Sequence, residues 1–214
     1  CAKRRYARLL KEQLSSVLPI EDQNFGKFNL GYYSTRMDPN MKDSPRENME
    51  DNLYECKKYA KEFGESSPNL LMYGSTGLGK TFLSTCIADA VSARGFSVAY
   101  DTAINIIAAY ETIKFGTGDG AAAAERAARY ERADLLIIDD MGTEMGTAFT
   151  VSALYNLINN RLMAHRPMIV NTNLLPDELK KRYSPAVASR LLGEFKQLRF
   201  FGDDIRMLKS RMQR

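Results

Sequence analysis

Gly74-Ser75-Thr76-Gly77-Leu78-Gly79-Lys80-Thr81 follows the spacing G-x-x-x-x-G-K-[ST]. A polyphosphate needs many hydrogen-bond donors at once, and side chains would crowd its approach. Glycines let the backbone curl so that successive N–H groups converge, at the positive end of the helix that follows. Lys80 adds a cation for the β- and γ-phosphates of ATP, and the Thr81 hydroxyl is a hard oxygen suited to Mg2+. The expected nucleotide contacts run from Gly74 through Thr81 to the adjoining Phe82. An apolar run at 70–73 precedes the loop and a helical pattern follows it, the context the motif requires.

A second constellation is Leu135-Leu136-Ile137-Ile138-Asp139-Asp140. A strand apolar on both faces belongs inside a parallel sheet, and it delivers the acids that follow to the carboxyl edge, beside the phosphate loop. Asp139 is then expected to face Mg2+, usually through water, and Asp140 to orient and activate an attacking water. Met168-Ile169-Val170-Asn171-Thr172-Asn173 ends in amides, which can hydrogen-bond that water or a γ-phosphate without adding charge. Alternation leaves Asn171 and Asn173 on one side, so spacing does not choose between them. Arg190, on a short helical stretch, and Arg206, beyond the last strand, are cations able to reach a γ-phosphate in cis or from a neighbouring subunit. Such arginines are also commonly solvated or paired with acids.

Positioning these groups takes an alternating α/β chain. Periodicity predicts helices over 46–63, 80–94, 104–115, 121–132, 149–165, 176–183 and 186–194, and strands over 70–73, 96–100, 135–139, 168–170 and 196–201. Residues 1–18 read as a basic amphipathic helix, and 19–45 as a turn-rich aromatic linker packing on the main domain, whose Phe25, Phe28 and Tyr32 could wall an adenine pocket or serve as packing. The expected division is 1–45 as arm and linker, the remnant of a missing domain, and 46–214 as the catalytic domain. At 214 residues there is room for one sizeable domain. The net charge of +4 is compatible with nucleic acid but weak as an argument. No apolar run is long enough for a membrane span. Three separated cysteines and the single His165 cannot build a zinc site within this chain, and a reduced cytoplasmic compartment fits best.

Together these motifs resemble the helicase-loader branch of the AAA+ ATPases, the DnaC and DnaI replication proteins. The matching pieces are Leu71 to Thr81, Ala133 to Glu144, Asn171-Thr172-Asn173-Leu174, Ser189-Arg190-Leu191 and Gly202 to Arg206. The resemblance implies a P-loop fold with a five-stranded parallel sheet between helices and no full carboxyl-terminal lid. It implies that Asn173 is the first sensor residue, Arg190 the arginine finger acting on the next subunit, and Arg206 the second sensor. It also implies ATP hydrolysis, self-association through the ATP site, a hexameric replicative helicase as partner, and single-stranded DNA facing 104–132. Tyr110, Lys114 and Phe115 are the base-stacking and phosphate-neutralising types such a surface needs, though the aromatics would serve equally as core. Cys1 looks like the last ligand of a truncated zinc module. IstB-like transposition helpers are similar over the same core. An ATP-binding scaffold with little hydrolysis is a third reading, because Asp140 stands where Glu is commoner.

Overall fold

The computed structural model describes residues 23–212. The basic pattern over 1–18 and the expectation for Cys1 lie outside the described residues. Two 3-10 turns, Phe25–Lys27 and Leu30–Tyr32, lead into α1 (Pro45–Glu62), β1 (Asn69–Tyr73), α2 (Lys80–Ala93), β2 (Val98–Thr102), α3 (Ala103–Phe115) and α4 (Gly120–Arg132). There follow β3 (Leu135–Met141), α5 (Ala148–Met163), β4 (Met168–Thr172), α6 (Pro176–Arg182), α7 (Pro185–Gly193), β5 (Phe195–Arg199) and α8 (Ile205–Met212). Helix starts are written locally. Ser44 accepts from the Glu47 amide while Glu47 accepts from that of Ser44, and Pro45 fills the first turn, where no N–H is needed.

All five strands are parallel, in the order β2-β3-β4-β1-β5. The chain is an α/β domain as expected. β4 is buried throughout, and on edge strand β5 the exposed Lys196, Gln197 and Arg199 discourage further pairing. Successive strand residues alternate between the two faces. Leu70, Met72, Val98, Tyr100, Leu135, Ile137 and Ile169 pack against residues of α1 and α2 such as Met49, Leu83 and Ile87. Leu71, Ala99, Leu136, Ile138, Met168 and Val170 pack on the other side with Ile106, Tyr130 and Leu154. That parity sets the direction of every polar residue at the strand ends. The aromatic segment before α1 joins the first core, with Phe25, Phe28 and Tyr32 packed against it and Tyr33 buried.

Several elements differ from the sequence expectation: β3 and β4 run two residues further, to Met141 and Thr172, and β5 spans Phe195–Arg199 rather than 196–201. β2 starts at Val98 rather than 96, because Phe96 leaves the strand line to meet Phe63, ring centroids 5.1 Å apart. The eight-residue α8 was not foreseen at all.

Arg161 is fully buried and acts as a clasp. Its guanidinium donates to the carbonyls of Tyr130 (2.7 Å), Glu131 (3.2 Å) and Ala133 (3.0 Å), where α4 ends. It also donates to the Pro167 carbonyl at 2.8 Å, just before β4. Arg161→Met should cost about 3–5 kcal/mol, since it takes the guanidinium donors from the carbonyls where α4 ends and leaves the Pro167 carbonyl with the Leu136 amide alone. Urea unfolding would read this as a lower midpoint at unchanged slope; a midpoint equal to that of the parent would contradict the clasp.

Candidate functional site

The glycine-rich loop joins β1 to α2 at the carboxyl edge of the sheet, and its neighbours hold it from both sides. Gly74 has φ +134°, and a Cβ there would lie 1.9 Å from the Phe200 carbonyl oxygen. The Phe200 amide donates to the Tyr73 carbonyl at 2.8 Å, carrying the β5 pairing past the end of the strand. Gly77 has φ +73°, with a would-be Cβ 2.0 Å from Asp204 Oδ1. The Ile205 amide donates to the Gly77 carbonyl (3.1 Å), and Asp204 caps α8 by accepting from the Arg206 amide at 2.8 Å. On the other side the Tyr33 hydroxyl donates to the Leu78 carbonyl at 3.0 Å.

Lys80 is 6% exposed, and its ammonium donates to the carbonyls of Gly74 (2.6 Å) and Ser75 (2.8 Å). Burial pushes its pKa down to about 8; Asp140 and Asp139 pull it back up, while Arg206 opposes them. Thr81 Oγ1 lies 3.2 Å from Asp139 Oδ1. Cis oxygens around Mg2+ sit about 3 Å apart, so these two hard donors fit such an ion. No group of three or more His, Cys, Asp or Glu side chains gathers as a metal site among the described residues. An ion here would therefore share its coordination with nucleotide oxygens.

β3 changes character at its acids. The pairing with β4 shifts register between Ile138 and Met141, and Asp140 takes a left-handed φ of +51°. Such a bulge re-aims side chains, and strain of this kind concentrates at functional sites. Asp139 stays on the α2 face, 4% exposed, whereas Asp140 turns into the open cavity. Burial raises the Asp140 pKa, as does the Asp139 charge, against the pull of Lys80 and Arg206.

That cavity encloses about 410 Å3, within the range for small-molecule sites. Asp139, Asp140, Asn173, Arg206 and the loop from Gly77 to Phe82 line it. Its far wall is aromatic: Phe28 stacks on Tyr33 at 5.8 Å and meets Phe82 edge-on at 5.5 Å. Lys209 Nζ sits 4.9 Å from the centre of the Tyr32 ring. One end of the cavity can take phosphates and the other a flat base. Phe25 packs on the core rather than lining it.

The two amides left open by spacing separate here. Asn173 lines the cavity, while Asn171 is 1% exposed and donates to Asp139 Oδ1 and to Ser84 Oγ, each at 2.8 Å. Arg190 lies elsewhere, in a second cavity with Asn69 and Pro167 at the amino-terminal edge of the sheet. It donates to Asn159 (3.1 Å from Nε) and to the Tyr155 hydroxyl (3.2 Å), with its guanidinium 5.0 Å from the Tyr155 ring centre. Tyr110, Lys114 and Phe115 are not grouped as one surface. Tyr110 is half-buried with its hydroxyl turned to Glu131 at 3.4 Å, while Lys114 and Phe115 are exposed at the end of α3. The Phe115 ring also leans on Phe149, 5.5 Å between centroids. Sequence reasoning missed Tyr33, Tyr100, Asp204 and Lys209; strand parity was the available signal for Tyr100.

Residues 55–210 match the family described as IstB-like ATP binding protein. The chain is 26% identical over 129 residues to a Mycobacterium tuberculosis protein described as ATP-binding in an insertion sequence, covering 60% of this chain and 50% of that protein. It is 25% identical over 140 residues to the replicative helicase loader DnaC of Escherichia coli, covering 65% and 56% respectively. The chain thus spans about half the length of the curated relatives it matches. A DnaC helicase loader structure superposes with a TM-score of 0.64 at 17% identity, over 83% of this chain and 98% of that one. AMPPCP-bound DnaA from Aquifex aeolicus gives 0.63 at 24% identity, over 78% and 52%. These likenesses give the fold, that of AAA+ P-loop domains.

The contact between Gly77 and Asp204 makes the seating of α8 testable. Gly77→Ala should lever α8 off the loop and speed tryptic cleavage after Arg206 and Lys209 about tenfold, the effect of about 1.4 kcal/mol on a local opening equilibrium. Cleavage at the parent rate would show that α8 does not depend on this contact.

Proposed function

The chain belongs to the IstB-like ATP-binding proteins, within the IstB/DnaC-like AAA+ ATPases, and we propose that it hydrolyses Mg2+-ATP to help load a hexameric replicative helicase onto single-stranded DNA. The observation that carries the ATPase reading is the convergence of the loop amides, Lys80, Thr81, Asp139 and Asp140 on one cavity with an aromatic wall. The relation to DnaC supports the helicase as partner. In this reading 46–214 is the ATPase domain and 1–45 leads from a helicase-binding domain, although Phe28 to Tyr33 wall the nucleotide cavity. The protein works in the cytoplasm.

The amides from Gly74 to Thr81 and the Lys80 ammonium bind the phosphates, and Phe82 and Phe28 flank the base. Thr81 and Asp139 hold Mg2+, which when bound neutralises charge on the β- and γ-phosphates. Asp140 accepts a proton from the attacking water, a role its raised pKa favours. Asn173 orients that water or the γ-phosphate, and Arg206 reaches the same oxygens from α8. Arg190 stands at the opposite edge of the sheet from the loop that precedes α2. It can therefore serve only a neighbour's phosphate, and ATP would order an arc or ring of subunits. Lys114 and Phe115, exposed at the end of α3, offer a cation and a stacking face to single-stranded DNA, and Tyr110 is the third residue of that reading although its hydroxyl turns to Glu131.

The insertion-sequence relative favours a second reading, a transposition helper that binds duplex DNA and a transposase. A pull-down with full-length protein distinguishes the two: retention of the replicative helicase supports the loader, and retention of a transposase in its place supports the helper.

Lys80→Ala should weaken ATP binding at least about 100-fold, since it removes two charge-assisted contacts worth about 1.5–3 kcal/mol each; unchanged affinity by calorimetry would refute the site. Arg190→Ala should leave ATP affinity intact and lower turnover of the assembled protein by about 10^3-fold or more. Mixing it with Asp140→Asn should restore some turnover, because one interface then holds an intact Asp140 and an intact Arg190. A mixture as inactive as its parts would argue against action across subunits.

A further inference from the structure

Three adjacent strands present polar side chains to the same place. Tyr100, Asp139 and Asn171 each lie two residues beyond an apolar residue of the α1/α2 face (Val98, Ile137 and Ile169), so alternation turns all three toward α2. There Asp139 is held at both oxygens. Oδ2 accepts from the Tyr100 hydroxyl at 2.5 Å, and Oδ1 from Asn171 Nδ2 at 2.8 Å, the Thr81 hydroxyl at 3.2 Å and the Asp140 amide at 3.0 Å. Ser84 links the cluster to α2, accepting from Asn171 at 2.8 Å and donating to the Thr81 carbonyl at 3.0 Å. Tyr100, Asn171 and Ser84 are 2%, 1% and 0% exposed.

Burying a phenol, an amide and a hydroxyl together is costly unless each is satisfied, and apolar residues would fill this face more cheaply. Asn171 Oδ1 is buried and meets no donor among the described residues. Such an oxygen is an acceptor for an ordered water.

We propose that Tyr100 and Asn171 are positioning residues for the metal-facing aspartate: they clamp the Asp139 carboxylate in the orientation that would serve Mg2+ beside Thr81. This rests on the reading of Asp139 as the residue that faces the metal. Without the clamp the carboxylate keeps only the Thr81 hydroxyl and a main-chain amide, and can swing. Outer-shell partners of this kind typically tune metal affinity about 10–100-fold.

The test is binding of a fluorescent ATP analogue by the full chain, first with EDTA and then through a Mg2+ titration, with Asp139→Asn alongside. Tyr100→Phe keeps the buried ring. It should bind nucleotide in EDTA within about twofold of the parent, yet need about 10–100-fold more Mg2+ for its half-maximal gain in affinity. Asn171→Ala should shift the same midpoint in the same direction, which guards against a folding defect in either variant. A Mg2+ midpoint unchanged or lowered in both variants, while Asp139→Asn loses the Mg2+ response, would overturn the clamp and leave the site reading intact. A normal Mg2+ response in Asp139→Asn would overturn both.

Discussion

Parallel register between β3, β4 and β1 decides where this chain can place charge, because it brings three strand ends to one edge and fixes which face each residue takes. Leu71 pairs with Val170, and Ile138 pairs with Val170 from the other side, so the loop after β1 and the acids near the end of β3 flank β4 at one level. A one-residue slip of β3 would have turned Asp139 away from α2, and a slip of β4 would have done the same to Asn171. The long apolar runs that make such slips expensive are thus a condition for the site.

Charge at that edge is arranged by contrast. Asp139 is buried and satisfied by four donors, and Asp140, one residue on, is left in the cavity with its pKa raised. Two adjacent carboxylates with different environments can divide metal holding from proton transfer. The positive φ of Asp140 is the local cost of separating them. Lys80 lies among carbonyls and both acids, which offset its burial. Chain segments remote in sequence complete the frame, since Tyr33 and Asp204 meet the loop from opposite directions.

The phosphate loop was legible because its function is written in main-chain geometry, which only glycines at fixed spacing permit. β3 was legible as an apolar run, and its acids with it, but the bulge that parts them has no sequence signature. Asn171 and Asn173 could not be told apart by alternation, because the distinction depends on Ser84, 87 residues away. β2 was misplaced by two residues, because its polar end is held by tertiary contacts: Asp101 is buried and accepts from the Tyr130 hydroxyl at 2.7 Å. α8 buries no residue fully and so carries little periodic signal, although Asp204 was a usable cap. The distance of Arg190 from the loop follows from topology alone.

The most direct measurement is a crystal structure with a non-hydrolysable ATP analogue and Mg2+. The account predicts phosphates against the amides of Gly74 to Thr81, Lys80 Nζ moved from the Gly74 and Ser75 carbonyls onto a phosphate oxygen, and Mg2+ about 2.0–2.1 Å from Thr81 Oγ1, with Asp139 beside it directly or through one water. Nucleotide seated elsewhere, with Lys80 still on those carbonyls, would contradict it.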